Sequence, residues 1–254
     1  MIGAIAWREF RQIMAAPMAW VVLGLAQAAA AWWFLLLVEQ YRTRYESLVV
    51  RVNSPMGVND LVLLPFFGSA LLIGMLLLGM ALMAMRLVAE ERRSGSLQLL
   101  YASPVSMVQI ALGKYFAALG FLLVLVLPWV LMPLVLQQAT VLDFGRLASA
   151  GLGLTMLAAV FAAVALFASS VSLQPGLAAA LSVAIAVALM GINSGVDAIA
   201  GQQDPLADHL SLLTHYEPLV QGVVSTVNLG FFTLVVIAFI GLAVRRLDVL
   251  RLQA

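Results

Sequence analysis

The chain contains no cysteine, and that absence removes disulfides, thiolate zinc sites and a cysteine nucleophile together. Charge is nearly as scarce: Asp, Glu, Lys and Arg make up 10% of the 254 residues, and the net charge is +1. There is neither a basic face for nucleic acid nor an acidic solvating tail, so no nucleic-acid partner is expected. The two histidines, His209 and His215, lie near Asp204, Asp208 and Glu217. They lack the H-E-x-x-H spacing of a helical zinc site, and no metal site is expected. Gly113-Lys114 is followed by Tyr115 and has no glycine five residues earlier, so it is not a phosphate-gripping loop. A G-x-S-x-G elbow is also missing, and the apolar runs lack the ionisable groups of proton-coupled pumps. No catalytic residue is assigned.

What remains is apolar. Hydrophobic residues make up 64% of the chain and mean hydropathy is +1.07, against roughly 45–50% apolar residues in soluble domains. The expected fold class is an all-α polytopic membrane protein. About 20 apolar residues cross the hydrocarbon core, which places spans near 19–38, 61–85, 115–136, 147–173, 177–196 and 228–244. Leu147 to Val196 is one charge-free run, too long for a single crossing, and Gln174-Pro175-Gly176 is read as its turn. With six spans both termini share a side. That side holds nine of the cations (Arg8, Arg11, Arg86, Arg92, Arg93, Lys114, Arg245, Arg246, Arg251), and the other holds Arg42, Arg44, Arg51 and Arg146. The excess puts both termini in the cytoplasm. Trp20, Trp129, Tyr41, Tyr115 and Phe231 fall near span ends, where interfacial aromatics are expected.

Before the first span, Ile2, Ile5, Ala6, Trp7, Phe10, Ile13 and Met14 fill one arc of a helix opposite Arg8, Arg11 and Gln12. This describes an amphipathic helix in the inner interface, with Glu9 misplaced inside the apolar arc; the alternative is a plain extension of span one. The following apolar run reaches full spanning length, so it is read as a retained span rather than an excised signal.

Four consecutive charges, Glu90-Glu91-Arg92-Arg93, interrupt the greasy sequence. Burying them at mid-bilayer would cost on the order of 10 kcal/mol, so they sit in water. A loop that only fixed topology would need charge alone. This one continues through Gly95, which breaks the helix leaving span two, and through Leu97, Leu99, Leu100 and Val105. Ser103-Pro104 then reads as an N-cap and first helical position for the helix entering span three. The pattern points to a docking element for a cytoplasmic partner.

At these residues the chain resembles type-2 ABC exporter permeases. Glu90-Glu91-Arg92-Arg93-Ser94-Gly95-Ser96-Leu97, Leu99-Leu100, Ser103-Pro104-Val105 and Gly113-Lys114 look like their E-E-R-R-x-G-T-L…L-L…S-P-V…G-K signature. Leu166-Phe167-Ala168-Ser169-Ser170 and His215-Tyr216-Glu217 with Gly222 are similar to the branch typified by the gliding-motility permease. Ser96, Tyr216 and Gln221 depart from that branch's usual Thr, Phe and Arg.

The resemblance implies one transmembrane permease domain over residues 1–254 in a bacterial cytoplasmic membrane. It would pair with a second copy or a paralogue and with cytoplasmic ATPase subunits, which would hold the ATP and Mg; this chain would carry no cofactor. Leu97–Ala102 would be the coupling helix, Glu90–Arg93 its polar rim, and Gln174, Pro175 and Gly176 a second contact. The other reading is a mechanical transmitter that acts on a periplasmic or membrane partner while nothing crosses. A scaffold without an ATPase fits the patterned loop least.

In the outer segment Leu219, Val220, Val223, Val224 and Val227 follow one side of a helix, which predicts a short re-entrant helix over 218–227 started by Pro218. His215, Glu217 and Gly222 become outer gate candidates there, or anchors for the turn. Ser69, Thr155, Ser169, Ser170, Ser172, Ser182, Asn193 and Ser194 either line a conduit or glue helices together, and Gly191-x-x-x-Gly195 would bring two helices close.

Overall fold

The structure, a computed structural model, describes residues 2–45, 57–94, 106–138, 140, 142–200 and 209–252. Every regular element among these residues is helical, and six helices are long and apolar enough to cross a membrane. The chain is therefore a multi-pass, all-helical membrane protein.

Helix α1 (Ile2–Ala15) is followed, after one extended residue, by α2 (Pro17–Gln40), the first span. Pro17 occupies the first turn, where no intrahelical N–H bond is lost. The second span is assembled in pieces. A π-helical turn (Asn59–Leu63) leads into α3 (Leu64–Phe67), and α4 (Ala70–Ala84) passes through a second π-helical turn (Met85–Ala89) into α5 (Glu90–Ser94). Between α3 and α4 the helix breaks at Gly68, and Ser69 restarts it by accepting the Leu72 N–H. The third span is α6 (Met107–Leu131), extended by a 3-10 segment (Met132–Gln138). Helices α7 (Phe144–Val171), α8 (Pro175–Ala200), α9 (Leu212–Val220) and α10 (Thr226–Leu252) complete the chain.

All six expected spans meet a helix, but several ends move. The described helix entering the third span begins at Met107, where Ser106 has the extended conformation of a cap and accepts the Gln109 N–H at 3.3 Å. The turn between the fourth and fifth spans occupies residues 172–174, and Pro175 already opens α8. Trp20 remains exposed and donates to the Met14 carbonyl at 2.8 Å, as an interfacial indole would. Trp129 is fully buried. The 3-10 extension carries the third span past it, so its ring fills the core.

Helix α7 is the hub. It packs against α4, α6, α8, α9 and α10, and its apolar window is the most buried of the six spans, whereas that of α10 is the least. Small residues make this possible: Ala150, Gly151, Gly153, Ala158, Ala162, Ala163 and Ala165 are all buried and let neighbouring helices close in. The hydroxyls of Thr155, Ser170 and Ser182 donate to carbonyls one turn back in their own helices.

Candidate functional site

The charges of α5 continue the second span as a helix, and helical spacing divides them. Glu90 and Arg93 are exposed, whereas Glu91 and Arg92 are half-buried. Just before them the wide turn Met85–Ala89 admits a side chain from another helix. Ser169 Oγ, fully buried on α7, accepts the N–H groups of Val88 and Ala89 at 2.9 and 3.0 Å.

Glu91 Oε1 accepts from Lys114 Nζ at 2.7 Å, and Lys114 Nζ also donates to Glu9 Oε2 at 3.2 Å. Arg8 closes on the other oxygen of Glu9 at 3.0 Å. The result is a chain of four alternating charges joining α1, α6 and α5. Lys114 is 1% exposed, a burial tolerated because carboxylates flank its ammonium. Two glycines let the helices come this close. A Cβ on Gly113 would lie 2.6 Å from Ile5 Cγ2, and one on Gly120 would lie 3.3 Å from the Phe10 ring. Contacts therefore advance together along α1 and α6, and the apolar arc of α1 rests on α6. Glu9 sits at the centre of that buried arc because Lys114 is its partner.

Arg92 turns the other way. Its Nη1 donates to the carbonyls of Ser170 and Ser172 at 3.2 and 3.3 Å, at the end of α7 where carbonyls lack intrahelical partners and the dipole favours a cation. This ties α5 to the turn that follows α7. Leu173, Gln174, Gly176 and Leu177 are exposed on that turn, and Pro175 is half-buried. Glu90 and Arg86 at the end of the second span, with Glu9 and Gln12 of α1, line a hollow of about 400 Å³. The expected coupling residues Glu90, Glu91, Arg92 and Arg93 and the second contact thus share one end of the bundle. Gly95, Leu97, Leu99, Leu100 and Ser103-Pro104-Val105 lie outside the described residues.

At the far end the expected helix over 218–227 is corrected: α9 spans Leu212–Val220 and contains Pro218. Its buried face is Leu212, His215, Tyr216, Leu219 and Val220, which is helical spacing once His and Tyr count as packing residues. The Tyr216 hydroxyl donates to the Phe67 carbonyl at 2.8 Å, beside the break in the second span. Burial pushes its phenol well above the usual range, which keeps it a donor. Ser149 Oγ donates to the Leu219 carbonyl at 2.7 Å, and Gly153 lets α9 lie on α7.

Of the gate candidates, His215 is buried, bonds the Ser211 carbonyl through Nδ1 at 3.0 Å and stacks on Phe231 with ring centroids 4.0 Å apart. Glu217 is exposed and borders an otherwise largely apolar cavity of about 640 Å³, lined by Leu64, Pro65, Gly68, Met190 and Tyr216 among others. Gly222 ends α9. Its φ is +96°, and the bonds from Val223 N to the Pro218 carbonyl and from Gly222 N to the Leu219 carbonyl form a Schellman stop. Val223, Val224 and Val227 are exposed rather than one face of a helix. Arg146 passes under Gly222 and pairs with Asp60.

Two ties escaped sequence reasoning. One is the Glu9–Lys114–Glu91 cluster, whose signal was a carboxylate misplaced in an apolar arc. The other is Gln27, whose amide donates to the Leu125 carbonyl at 2.8 Å, one turn before Pro128; a lone glutamine carries no such signal.

Six packed helices with a braced charged segment at one end define a multi-pass membrane protein. The family described as ABC-2 family transporter protein matches residues 3–248, and the chain belongs to it. It is thus a permease subunit of an ABC transporter, the kind that works with an ABC ATPase subunit. No curated protein matches the chain.

Proposed function

We propose that the chain is the permease half of an ATP-driven exporter in a bacterial cytoplasmic membrane, with the end that carries Glu90–Arg93 facing the cytoplasm and seated on the ATPase. The observation that carries this reading is the division of labour on α5. Glu91 and Arg92 brace the helix against α1, α6 and α7, while Glu90 and Arg93 stay exposed, as do Leu173, Gln174 and Leu177 after the carbonyls that Arg92 holds. A charged loop that only set topology would need no bracing, whereas a lever that receives force does. A second permease subunit, identical or paralogous, completes the path, and ATP-driven closure of the ATPases switches its access. Among such permeases the residues most resemble the gliding-motility branch, from which Ser96, Tyr216 and Gln221 depart.

Mechanical transmission without transport is the second reading. It draws support from the hydroxyls of Thr155, Ser170 and Ser182, which donate to carbonyls of their own helices. Substrate-dependent ATPase activity separates the two.

The docking reading is tested by replacing Leu99 and Leu100 together with Asp. An unpaired charge forced into an apolar contact costs several kcal/mol, so the ATPase is expected to dissociate or lose its response to the permease while membrane insertion is retained. Full coupling in the double variant would remove the docking role from this segment.

A further inference from the structure

Three spans converge on one ammonium group. Helix α5 is the direct continuation of the second span, Lys114 lies in the first turns of the third, and α1 is separated from the first span by Ala16 alone. We propose that the Glu9–Lys114–Glu91 cluster is a strut that makes α1 and α5 one moving part. A displacement received at the charged segment then reaches the first span through α1 as directly as it reaches the second and third. Lys114, Glu9 and Glu91 act here as positioning residues; this rests on the docking reading above and adds the route by which motion leaves the docked end.

The physical case is the mismatch between how easily the parts could slide and how firmly the cluster holds them. Along α1 and α6 two of the close contacts are apolar side chains over glycine, Ile5 on Gly113 and Phe10 on Gly120, and such contacts resist separation but not small shear. The ion cluster resists both. Lys114 is held by two carboxylates at 3.2 and 2.7 Å and is itself 1% exposed, so losing either leaves a buried ammonium short of a partner. Arg8 on α1 completes the charge balance from the surface, and Arg86 and Glu90 border the adjoining hollow. Withdrawal of either α1 or α5 would take one carboxylate away from the buried ammonium of Lys114. The three elements therefore travel together or not at all.

The absence of native cysteine makes the test clean. Spin labels on Ala15→Cys in α1 and Ser94→Cys in α5 report their separation in the permease–ATPase complex, nucleotide-free and locked with a non-hydrolysable nucleotide. The strut predicts one narrow distance distribution, unchanged between the two states, while a pair on Ala15→Cys and Gln221→Cys changes. Lys114→Met should broaden the first distribution and uncouple the ATPase from the permease. Glu9→Gln, which keeps the Lys114–Glu91 pair, should broaden it also and serves if Lys114→Met does not insert. The charge-reversed variant R8E/E9K/K114E/E91K, which keeps all four charges alternating, should restore both readouts, which a cluster needed only for folding has no reason to do for coupling. A first distance that shifts with nucleotide in the parent, or Glu9→Gln with unaltered distance and coupling, would overturn the strut while leaving the docked complex intact. Failure of any ATPase to bind the parent would overturn the docking reading itself, and the strut's role in transmission with it.

Discussion

Ser169 is a single hydroxyl whose removal should be felt well beyond its own helix. It accepts two backbone N–H groups from the wide turn that leads into the charged helix. Leaving a buried donor without an acceptor costs about 1–3 kcal/mol. Ser169→Ala is therefore expected to lower the melting temperature of the purified protein clearly. Thr155→Ala, which deletes a hydroxyl bonded only within its own helix, should change stability by about 0.5 kcal/mol or less. Equal effects of the two in a thermal unfolding assay would show that the Ser169 contact is incidental. At this scale the sequence was partly legible. Glu9 in an apolar arc was visible as a misfit, whereas Lys114 read only as an inner-side cation ahead of the third span, and pairing them requires knowing that α1 lies on α6. That follows from Gly113 and Gly120 facing Ile5 and Phe10, a tertiary fact with no local signature.

Among the elements, α9 shows most sharply how a correct pattern can be read in the wrong register. The valines at 220, 223, 224 and 227 suggested a helix begun by Pro218, yet the helix ends at Val220 because Gly222 adopts φ +96° and closes a Schellman stop. Propensity is overruled here by packing: Tyr216 reaches the broken second span, and His215 stacks on Phe231. Gly222→Ala places a side chain in the left-handed region, at roughly 1–2 kcal/mol. It also drives a methyl to 2.8 Å from Arg146 Cγ. The variant should loosen the far end, seen as faster proteolysis near α9 and a lower melting temperature. Gly191→Ala, whose Cβ meets no atom within 4 Å, should do neither; the glycine pair expected to bring helices together is not at a close approach within this chain on the Gly191 side. Indistinguishable behaviour of the two variants would mean that the turn does not depend on a left-handed glycine.

For the molecule as a whole, the count and order of spans were legible because length and hydropathy dictate them, and a charged run in such a chain must lie in water. What was not legible is which span forms the hub, since small residues in α7 only become meaningful once five neighbours close on it. Nor does a row of four charges announce that two face inward. That division, with Glu91 and Arg92 spent on the fold and Glu90 and Arg93 exposed, underlies the central claim that this end seats the ATPase. The most direct test is cross-linking from single cysteines carrying a photoreactive maleimide, in the complex as isolated from membranes. Arg93→Cys and Gln174→Cys should yield adducts with the ATPase, and Thr214→Cys and Val223→Cys at the far end should yield none. Adducts from the far-end positions, with none from Arg93→Cys or Gln174→Cys, would contradict the account.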